Sequence, residues 1–469
     1  MVLLPLRQKG QRMHTYLGLP KIELVATGKT KDVFRAEDGR LILKNKNAIT
    51  AFNDKTKTKI YEWKAVAATT VTANNFRLLK EAGIPVAFEG LNATDEFVTP
   101  NCKPIRLELI IRRVADPKGS YVRRHPELRA KMIPGMLLEL DPLVLELNLK
   151  TTEGKIEGLG GETFGTLPED VLKAGQIVDD PLCKVEGEVL HLWHPDLPSN
   201  DPRANLKIAV PFEKIATYKL ADLLKLMRAT FLVLEKGWAK RRCRLKDLKI
   251  EVGTNQDGKL LVIDVIDLDS WRMEDPTGLV EWSKQLFRDD REESEIKAAY
   301  LDAAKMSEHL EQPYDGLVFW RASPNDPLPI EQSELRSFPG VKVHFVELSA
   351  HKEPNDVLEA KLAELHGQHR RDNMMFIAEV GMLNGLAPYL YRNSPYPVVT
   401  YSPSIIYDAW KDDSVGALRT PTGIAPLVAG NGKNAIDAAL RILSANNPAL
   451  YAYCEMERSR MVTTKRKTA

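Results

Sequence analysis

The chain has 469 residues, of which 43% are hydrophobic and 28% charged, a composition typical of soluble globular proteins. Its 66 basic and 64 acidic residues nearly balance, so charge gives no reason to expect a nucleic acid or a membrane surface as partner. No apolar run approaches the roughly 20 residues of a membrane span. The four cysteines lie far apart without metal-binding spacing, which favours a reducing, cytoplasmic compartment.

The N-terminal segment over 1–20 is basic and contains no acidic residue. A mitochondrial presequence is one interpretation, but serine is lacking and the helical periodicity is poor. We therefore expect an irregular, cytosolic lead-in.

Residues 22–34 predict a strand, a glycine turn and a returning strand. Gly28 allows a close approach of the backbone, and Lys29 and Lys31 alternate so that both face one side. Such a loop suits the phosphates of a nucleotide. It is not a P-loop, because Glu23 stands where that motif needs its first glycine. An ordinary basic hairpin turn is the alternative.

A helix is predicted over 64–83, ended by Gly83 and Pro85, and two strands follow between 97 and 113. The segment after them gathers basic and hydroxyl side chains around a glycine: Arg112, Arg113, Ser120, Arg123 and Arg124. Guanidinium forks and a serine hydroxyl suit a phosphate or carboxylate on a small substrate. Surface arginines paired with acids are the alternative.

The middle of the chain carries less pattern. The glycine-rich stretch over 158–165 does not fit the dinucleotide-binding motif, so we expect a flexible loop there. The clearest helix is predicted over 212–238, where apolar side chains recur at three- and four-residue spacings. This stripe indicates a core-facing helix rather than a cofactor site.

A β-hairpin is predicted over 245–272, where two apolar runs flank a turn that ends in a glycine. Lys249 and Glu251 are two residues apart and share one face of the first strand. Asp264 lies inside the second run, where a carboxylate is costly to bury without a metal or a cation. Glu251 and Asp264 are therefore a candidate Mg²⁺ pair. A polar outer face with salt bridges is the alternative.

The C-terminal third alternates strands and helices. A helix is predicted from Ser283 towards Leu310, and the pattern then breaks at 312–316, where we expect a domain boundary. Strands and helices alternate beyond it, with helices at 354–365 and 434–443, which predicts a parallel sheet covered by helices on both faces. Ligands bind at the carboxyl ends of such strands.

These motifs together resemble those of the bifunctional purine-biosynthesis enzymes of animals, which join a SAICAR synthetase to a phosphoribosylaminoimidazole (AIR) carboxylase. The matching motifs are KIEVG at 249–253, DVIDLDSWR at 264–272 and KQLFRD at 284–289, then SAHK at 349–352, NGL at 384–386 and LRTPTG at 418–423. The resemblance implies an α+β, ATP-binding SAICAR synthetase-like domain over 21–310, with an insertion at about 130–187. It also implies an α/β, Rossmann-like three-layer parallel-sheet domain, AIR carboxylase-like, over 315–450, followed by a basic C-terminal tail over 451–469.

The resemblance also implies functional residues. ATP contacts are implied for Gly28, Lys29, Lys31, Lys249, Glu251 and Asp264. Mg²⁺ is implied to bind Glu251 and Asp264. Catalytic roles are implied for Lys249, Asp267, Asp269, His351 and Lys352. Substrate binding is implied for Arg112, Ser120, Ser270, Arg272, Lys284, Gln285, Arg288, Ser323, Asp326, Ser349, Asn384 and Arg419.

The implied reaction uses ATP to join L-aspartate to carboxyaminoimidazole ribonucleotide, giving SAICAR, ADP and phosphate. The second domain would interconvert AIR and CO₂ with carboxyaminoimidazole ribonucleotide, without biotin. The resemblance further implies a homo-oligomer, an octamer built around the carboxylase domains. Neither a nucleic acid nor a membrane is expected as partner.

Several positions depart from the family pattern. Asn47 replaces an aspartate, while Phe52 and Trp63 replace glycines, and we expect Trp63 to fill space meant for substrate. In the second half, Ala322 replaces a glycine of a phosphate loop and Pro324 removes an N–H donor, so we expect weak or absent carboxylase activity. A catalytically impaired paralogue that binds nucleotides or serves as a scaffold is the alternative function.

Overall fold

The computed structural model describes residues 16–51, 55–117, 119–133, 136–169, 171, 180–323, 325, 328–369, 373–380, 385–402 and 424–468. These residues form two compact units. The first takes those of Met1–Lys80, Pro85–Arg228 and Arg241–Leu310, and the second those of Glu81–Ile84, Ala229–Lys240 and Glu311–Ala469. Within the described ranges, no helix is both long and apolar enough to cross a membrane.

Antiparallel sheets form the framework of the first unit. Its first nine strands are Lys21–Thr27 (β1), Lys31–Ala36 (β2), Leu41–Asn45 (β3), Ala48–Thr50 (β4), Thr58–Ile60 (β5), Gly90–Ala93 (β6), Glu96–Thr99 (β7), Lys103–Pro104 (β8) and Leu107–Ala115 (β9). The next nine are Leu138–Leu149 (β10), Lys155–Glu157 (β11), Thr163–Thr166 (β12), Leu182–Glu186 (β13), Val189–Trp193 (β14), Asn205–Pro211 (β15), Arg244–Thr254 (β16), Leu260–Ile263 (β17) and Trp271–Glu274 (β18).

The strand order brings distant parts of the sequence together. One sheet has the order β1-β2-β3-β7-β6, and a nine-stranded sheet has the order β15-β14-β13-β10-β9-β16-β17, with β8 and β18 also paired to β16. Strands β4 and β5 pair with each other, as do β11 and β12. Since β16 has neighbours on both sides, polar side chains from several strands converge around it.

In the described part of this unit, the helices that lie wholly or partly within it are Lys64–Glu81 (α1), Ser120–Arg124 (α2), Leu220–Ala239 (α3), Gln285–Arg288 (α4) and Glu293–Ser307 (α5). Helix α1 is anchored at its middle. Phe76 packs against Phe88 and Phe97, with ring centroids 5.9 and 6.2 Å away. The side chains of Thr72 and Asn75 donate to the carbonyl of Ile266 at 3.3 and 2.9 Å. These bonds tie α1 to the segment that follows β17.

Both predicted hairpins are confirmed. Strand β1 pairs with β2 across the Gly28 turn, and β16 pairs with β17 with Glu251 opposite Ile263. Gly258 closes the second turn at φ 75°, in the left-handed region that favours glycine. Asp264 differs from the prediction, because it follows β17 rather than lying in it and has φ 70°.

Three other local predictions were wrong. The helix expected from residue 212 begins at Leu220, because Phe212–Lys214 forms a separate 3₁₀ turn after β15. The helix expected from Ser283 is two helices, α4 and α5, separated near Asp290, which has φ 52°. The glycine-rich stretch over 158–165 is the turn and much of the second strand of the β11–β12 hairpin.

A parallel sheet lies at the centre of the second unit. Its strands are Asp315–Arg321 (β19), Val341–Glu347 (β20), Met374–Glu379 (β21), Val398–Tyr401 (β22) and Leu427–Val428 (β23), in the order β20-β19-β21-β22-β23. Its helices are Gln332–Leu335 (α6), Asn355–Gln368 (α7), Leu386–Asn393 (α8), Gly432–Ser444 (α9) and Pro448–Thr468 (α10). The segment expected to be a basic tail is therefore part of helix α10.

Alternate side chains of β19 enter two separate hydrophobic cores. Leu317 and Phe319 pack in a cluster that includes residues of α9 and α10. Val318 and Trp320 pack in a cluster that includes residues of α7 and α8. The sheet thus has helices on both faces, which is why its inner strands β19, β21 and β22 are buried throughout, whereas the edge strands β20 and β23 are partly exposed.

Candidate active site

The turn between β1 and β2 holds the first of the predicted site residues. The amide of Gly28 donates to the carbonyl of Lys31 at 2.8 Å, and a Cβ at position 28 would lie only 3.2 Å from that same oxygen. Lys46 donates to the carbonyl of Gly28 at 2.9 Å and pairs with Asp32 at 2.7 Å. The turn is therefore tight, with Lys29 at its tip and Lys31 opening β2.

Three lysines converge on carboxylates beside this turn. Lys31 pairs with Asp264, Lys249 pairs with Glu251 at 3.1 Å, and Lys150 pairs with Glu251 at 2.7 Å. Lys249 also approaches Glu108 at 3.5 Å. This confirms that Lys249 and Glu251 share a face of β16. We call these six residues the lysine–carboxylate cluster.

Burial and charge shift the acidities of this cluster. Burial lowers the pKa of Lys31 to about 8, with the positive charge of Lys249 adding to that effect against the pull of Glu251. Burial acts to raise the pKa of Glu251, but Lys249 and Lys150 outweigh it and hold that pKa at about 2. Glu251 is thus an ionised carboxylate surrounded by cations.

The donor set fits magnesium only in company with another ligand. Among the residues that the structure describes, no three His, Cys, Asp or Glu side chains lie close enough to share a metal ion. The chain offers Glu251 and Asp264, both near Lys31. Because Mg²⁺ commonly takes one or two carboxylates plus phosphate oxygens and water, this pair suits a metal that arrives with a phosphorylated ligand.

A second cluster follows three residues beyond Asp264. Asp269 accepts a hydrogen bond from the hydroxyl of Tyr300 at 2.6 Å and lies 3.3 Å from Lys64 and 3.6 Å from Lys284. Asp267 lies 4.0 Å from Lys64 and accepts the amide of Asp269 at 2.9 Å. The hydroxyl of Ser270 donates to the carbonyl of Val265 at 3.1 Å, which closes the loop.

The pKa values of Asp267 and Asp269 are shifted in opposite directions. Burial and the neighbouring charge of Asp269 raise the pKa of Asp267. Burial also disfavours the charged form of Asp269, but Lys64, Lys284 and the Tyr300 hydroxyl overcome it and hold the pKa of Asp269 well below its usual range. Asp269 is therefore the carboxylate that stays ionised.

A third cluster contains the predicted arginines. Arg112 bonds Glu146 at 2.6 Å, Asp247 at 3.3 Å and the hydroxyl of Ser120 at 3.0 Å. The backbone amide of Arg272 donates to Asp247 at 3.1 Å, and its guanidinium bonds Asp247 at 2.5 Å. Arg112, Ser120 and Arg272 are thus brought together, with Asp247 between the two guanidinium groups.

The basic segment over 284–288 borders both of these clusters. Lys284 reaches Asp269, and Gln285 accepts a long bond from Arg288 at 3.4 Å. Burial and the nearby positive charge of Arg272 lower the pKa of Arg288. Within the described part of the chain, Arg288 forms no ion pair, so it is a cation suited to an anionic ligand.

Trp63, which we expect to fill space meant for substrate, lies among other aromatic side chains. Its ring stacks on Tyr61 at 5.0 Å and packs against Tyr300 at 5.3 Å. Its indole N–H is buried without a hydrogen-bond partner in the described residues. The ring forms part of an aromatic wall beside Asp269. Phe52 lies outside the described residues.

The predicted carboxylase residues belong to the second unit. Ser349 follows β20, and its hydroxyl accepts the amide of His351 at 3.3 Å, while its carbonyl accepts the amide of Lys352 at 3.2 Å. The imidazole of His351 lies against Gly385, where a Cβ would come within 2.4 Å of the ring. The hydroxyl of Ser323 accepts the amide of Asn325 at 3.2 Å. Asp326, Asn384 and Arg419 lie outside the described residues.

The sequence model of the SAICAR synthetase family matches residues 24–158 and 189–305, more than half of the chain. The chain belongs to the SAICAR synthetase family. All three clusters of the first unit lie within the matched ranges. The match omits 159–188, a stretch that overlaps the insertion expected from the sequence.

Sequence similarity to curated relatives covers almost the whole length of this chain. The chain is 28% identical over 446 residues to the "Probable multifunctional protein ADE2" of Caenorhabditis elegans, covering 92% of each chain. It is 28% identical over 450 residues to the bifunctional phosphoribosylaminoimidazole carboxylase/phosphoribosylaminoimidazole succinocarboxamide synthetase of Rattus norvegicus, covering 91% of each. A solved phosphoribosylaminoimidazole-succinocarboxamide synthase from Ehrlichia chaffeensis aligns with 62% of this chain and all of its own, at 19% identity and a TM-score of 0.44.

Sequence reasoning missed several residues of this SAICAR synthetase-family site. They are Lys64, Glu108, Glu146, Lys150, Asp247 and Tyr300. Alternation along β9 and β16 offered a signal for Glu108 and Asp247, because both lie on strands already thought to carry site residues. Lys64 and Tyr300 had no such signal, since each lies on a helix whose pattern indicates only packing.

Proposed function

We propose that the chain is an active SAICAR synthetase, which uses ATP to join L-aspartate to carboxyaminoimidazole ribonucleotide and releases SAICAR, ADP and phosphate. The observation that carries this proposal is the lysine–carboxylate cluster beside the Gly28 turn. Lys31, Lys150 and Lys249 gather at one place with Glu251 and Asp264. Such a concentration of cations and ionised carboxylates suits a magnesium–nucleotide complex.

On the nucleotide side, the Gly28 turn leaves room for phosphate oxygens close to the backbone, with Lys29 and Lys31 as point charges. Lys249 stabilises the negative charge that builds up on the transferring phosphoryl group. Glu251 and Asp264 would hold Mg²⁺, which supplies further charge neutralisation at the phosphates when it is bound. In this structure the three lysines form ion pairs with these two carboxylates.

On the substrate side, Arg112, Ser120 and Arg272 bind the ribose phosphate. Arg112 and Arg272 are held by Asp247, which fixes the separation of the two forks. The carboxylates of L-aspartate bind near Lys284, Gln285 and Arg288, and Asp267, Asp269 and Ser270 shape the loop that faces them.

The chemistry needs positioning more than a protein nucleophile. A carboxylate oxygen of the ribonucleotide attacks the γ-phosphorus of ATP, the bond to ADP breaks, and an acyl phosphate forms. The aspartate amine then attacks that carbonyl carbon, the amine loses a proton, and phosphate leaves. Lysines and arginines accelerate both steps by holding the reacting groups together and stabilising negative charge.

The test is to incubate the purified protein with ATP, Mg²⁺, L-aspartate and carboxyaminoimidazole ribonucleotide and to measure ADP and SAICAR. We expect equal amounts of both products, and a loss of about 100-fold or more in kcat for Glu251→Gln, because the lost metal ligand and its charge cost about 2.7 kcal/mol or more of transition-state stabilisation. Asp257→Asn, at the exposed tip of the same hairpin, is the matched control. ATP binding by the wild type without any SAICAR would instead identify the impaired paralogue.

For the second unit, we propose a Rossmann-like, AIR carboxylase-like domain that drives homo-oligomer formation, with weak carboxylase activity. The support is the parallel sheet with His351 against Gly385 at the carboxyl ends of its strands. Ala322 adds a Cβ where a backbone should approach phosphate, so Ala322→Gly is expected to raise the rate of AIR and CO₂ interconversion about tenfold. An unchanged rate would show that backbone approach is not what limits it.

A further inference from the structure

Lys64 is a fully buried lysine that the mechanism above does not use. It is the first residue of α1, and 1% of its surface is exposed. Its Nζ lies 3.3 Å from Oδ2 of Asp269 and 4.0 Å from Oδ2 of Asp267. Since Thr72 and Asn75 tie α1 to Ile266, the helix and the two aspartates are held in one framework.

Burying a lysine with two carboxylates is costly, and a buried ion pair by itself gives little net stability. The charges are nevertheless nearly balanced, because Lys284 supplies a second cation to Asp269 at 3.6 Å. The pKa of Lys64 is raised although burial opposes this, because Asp269 and Asp267 stabilise its charged form. The Lys64 side chain therefore stays charged, with its ammonium group against the buried side of Asp269.

Asp269 has an inner and an outer side. Its Oδ1 accepts the Tyr300 hydroxyl, and its Oδ2 faces both Lys64 and Lys284. The Lys64 side chain is 2% exposed, whereas the side chains of Asp269 and Lys284 are each 13% exposed. Lys64 thus contacts the inner side of the carboxylate, and Lys284 is its partner nearer to solvent.

We propose that Lys64 is a positioning residue of the ligase site, which holds Asp269 so that Asp269 in turn holds the ammonium group of Lys284 at the place where the substrate binds. The inference rests on the proposed function, in which Lys284 meets the substrate. Without Lys64, the ammonium group of Lys284 would be the nearest remaining cation for Asp269 and Asp267. It would be drawn inward, away from the substrate.

The experiment compares Lys64→Met, which removes the charge, with Lys64→Arg, which keeps it. The matched control is Lys80→Met, an exposed position near the other end of α1. Michaelis constants for all three substrates, kcat and the pH profile are measured for each variant. We expect Lys64→Met to raise KM for L-aspartate about tenfold or more, with KM for ATP changed less than about twofold. Lys64→Arg should recover most of the loss.

The pH profile separates positioning from a merely structural role. The titratable and charged groups facing Asp269 are Lys64, Lys284, Asp267, the Tyr300 hydroxyl and, at longer range, Arg288. Removing the positive charge of Lys64 makes both Asp267 and Asp269 easier to protonate. Because the pKa of Asp267 is already raised, Asp267 protonates first, and the acid limb of kcat/KM should move to higher pH by about one unit or more. An unmoved acid limb with an unchanged KM for L-aspartate would overturn the proposal, as would a parallel loss for all substrates.

Two further measurements cover the other outcomes. If Lys64→Met does not fold, the double variant with Asp267→Asn removes one negative charge as well, and it should fold. It is compared with Asp267→Asn alone, because Asp267 itself belongs to the substrate loop, and the KM for L-aspartate should be higher in the double variant. Equal KM values for L-aspartate in these two variants would overturn the proposal. If the wild type forms no SAICAR, the proposed function fails. The proposal then stands or falls on carbon-13 NMR of the Asp267 and Asp269 carboxyls, which should titrate at least one pH unit higher in Lys64→Met than in the wild type; unchanged titrations would overturn it.

Discussion

Trp63 packs against the tyrosine that bonds a carboxylate of the candidate site. A tryptophan in place of the family's glycine suggests obstruction, yet its ring is stacked on Tyr61 and packed against Tyr300. Tyr300 in turn donates its hydroxyl group to Asp269. The indole therefore supports the residue that orients a site carboxylate.

Replacing Trp63 by the family's glycine should thus lower activity rather than restore it. Trp63→Gly leaves a cavity beside Tyr300, and we expect it to cost about 2–3 kcal/mol of stability together with about a tenfold loss in kcat. Trp63→Phe keeps one aromatic ring and loses the rest of the indole, including an N–H that has no partner in the described residues, so it should cost much less stability and activity than Trp63→Gly. Urea unfolding and steady-state kinetics of both variants decide the matter. A gain of activity in Trp63→Gly would mean that the ring obstructs substrate.

At the scale of elements, one carboxylate links three pieces of secondary structure. Glu146 on β10 bonds Arg112 on β9 at 2.6 Å and Arg124 of α2 at 2.5 Å. Burial acts to raise the pKa of Glu146, but the two guanidinium groups outweigh it and lower the pKa below its usual value. Folded Glu146 is therefore ionised at neutral pH, and the two arginines depend on it.

Glu146→Gln should destabilise the protein at pH 7 by about 3–5 kcal/mol, because it removes the carboxylate that pairs with buried Arg124 and leaves buried Arg112 with Asp247 as its remaining carboxylate partner. A carboxylate with a depressed pKa contributes stability that is present above its unfolded pKa of about 4.5 and is lost as pH falls towards its folded value. The difference in free energy of unfolding between wild type and variant should therefore become smaller below about pH 4.5. Urea unfolding at pH 7 and pH 4 measures this difference. Glu139→Gln, an exposed position on the same strand, should leave the free energy of unfolding unchanged. A wild type–Glu146→Gln difference that is the same at pH 7 and pH 4 would contradict the ionised state of Glu146.

The elements that could be predicted from sequence are those with a strong local pattern. The hairpin over β16 and β17 follows from alternating apolar residues and a glycine turn, and the parallel strands follow from short apolar runs between helices. The start of α3 was misplaced because Phe212 and Ile215 are apolar at helical spacing but belong to a 3₁₀ turn and its exit. Local periodicity does not distinguish these cases.

The site was predicted as far as single strands and loops could show it. Lys249 and Glu251 were found because their spacing alone puts them on one face. Lys64 was not, because its partners Asp267 and Asp269 lie far along the sequence and only the anchoring of α1 on Ile266 brings them together. Contacts of that kind depend on tertiary packing, which no local pattern encodes.

At the scale of the whole molecule, helix α3 contributes residues to both compact units. Its residues Ala229–Lys240 belong to the second unit, although sequence on both sides of them belongs to the first. Glu235 accepts the hydroxyl of Tyr451 at 3.0 Å, and Lys240 donates to the carbonyl of Asn446 at 3.0 Å. Lys236 also lies 5.2 Å from the ring of Tyr451.

A fragment of residues 311–469 should therefore fold less well than the same residues in the full chain. Losing these contacts and the packing around them should lower the melting temperature by several degrees, since about 1 kcal/mol corresponds to roughly 2–4 °C in a domain of 150–250 residues. Differential scanning calorimetry of the fragment and of the intact protein gives the comparison. Identical melting of the fragment and of the second unit would contradict the prediction. Adding a synthetic 229–240 peptide should restore part of the difference.

This division of α3 has a consequence for anyone who wishes to separate the two halves as independent genes. The unit that holds the parallel sheet is not one uninterrupted run of codons, because two earlier segments, Glu81–Ile84 and Ala229–Lys240, also belong to it. A single cut near residue 310 leaves both segments attached to the wrong product. A successful split needs either two polypeptides made together or a rearranged gene in which the longer of these segments is joined to the later half.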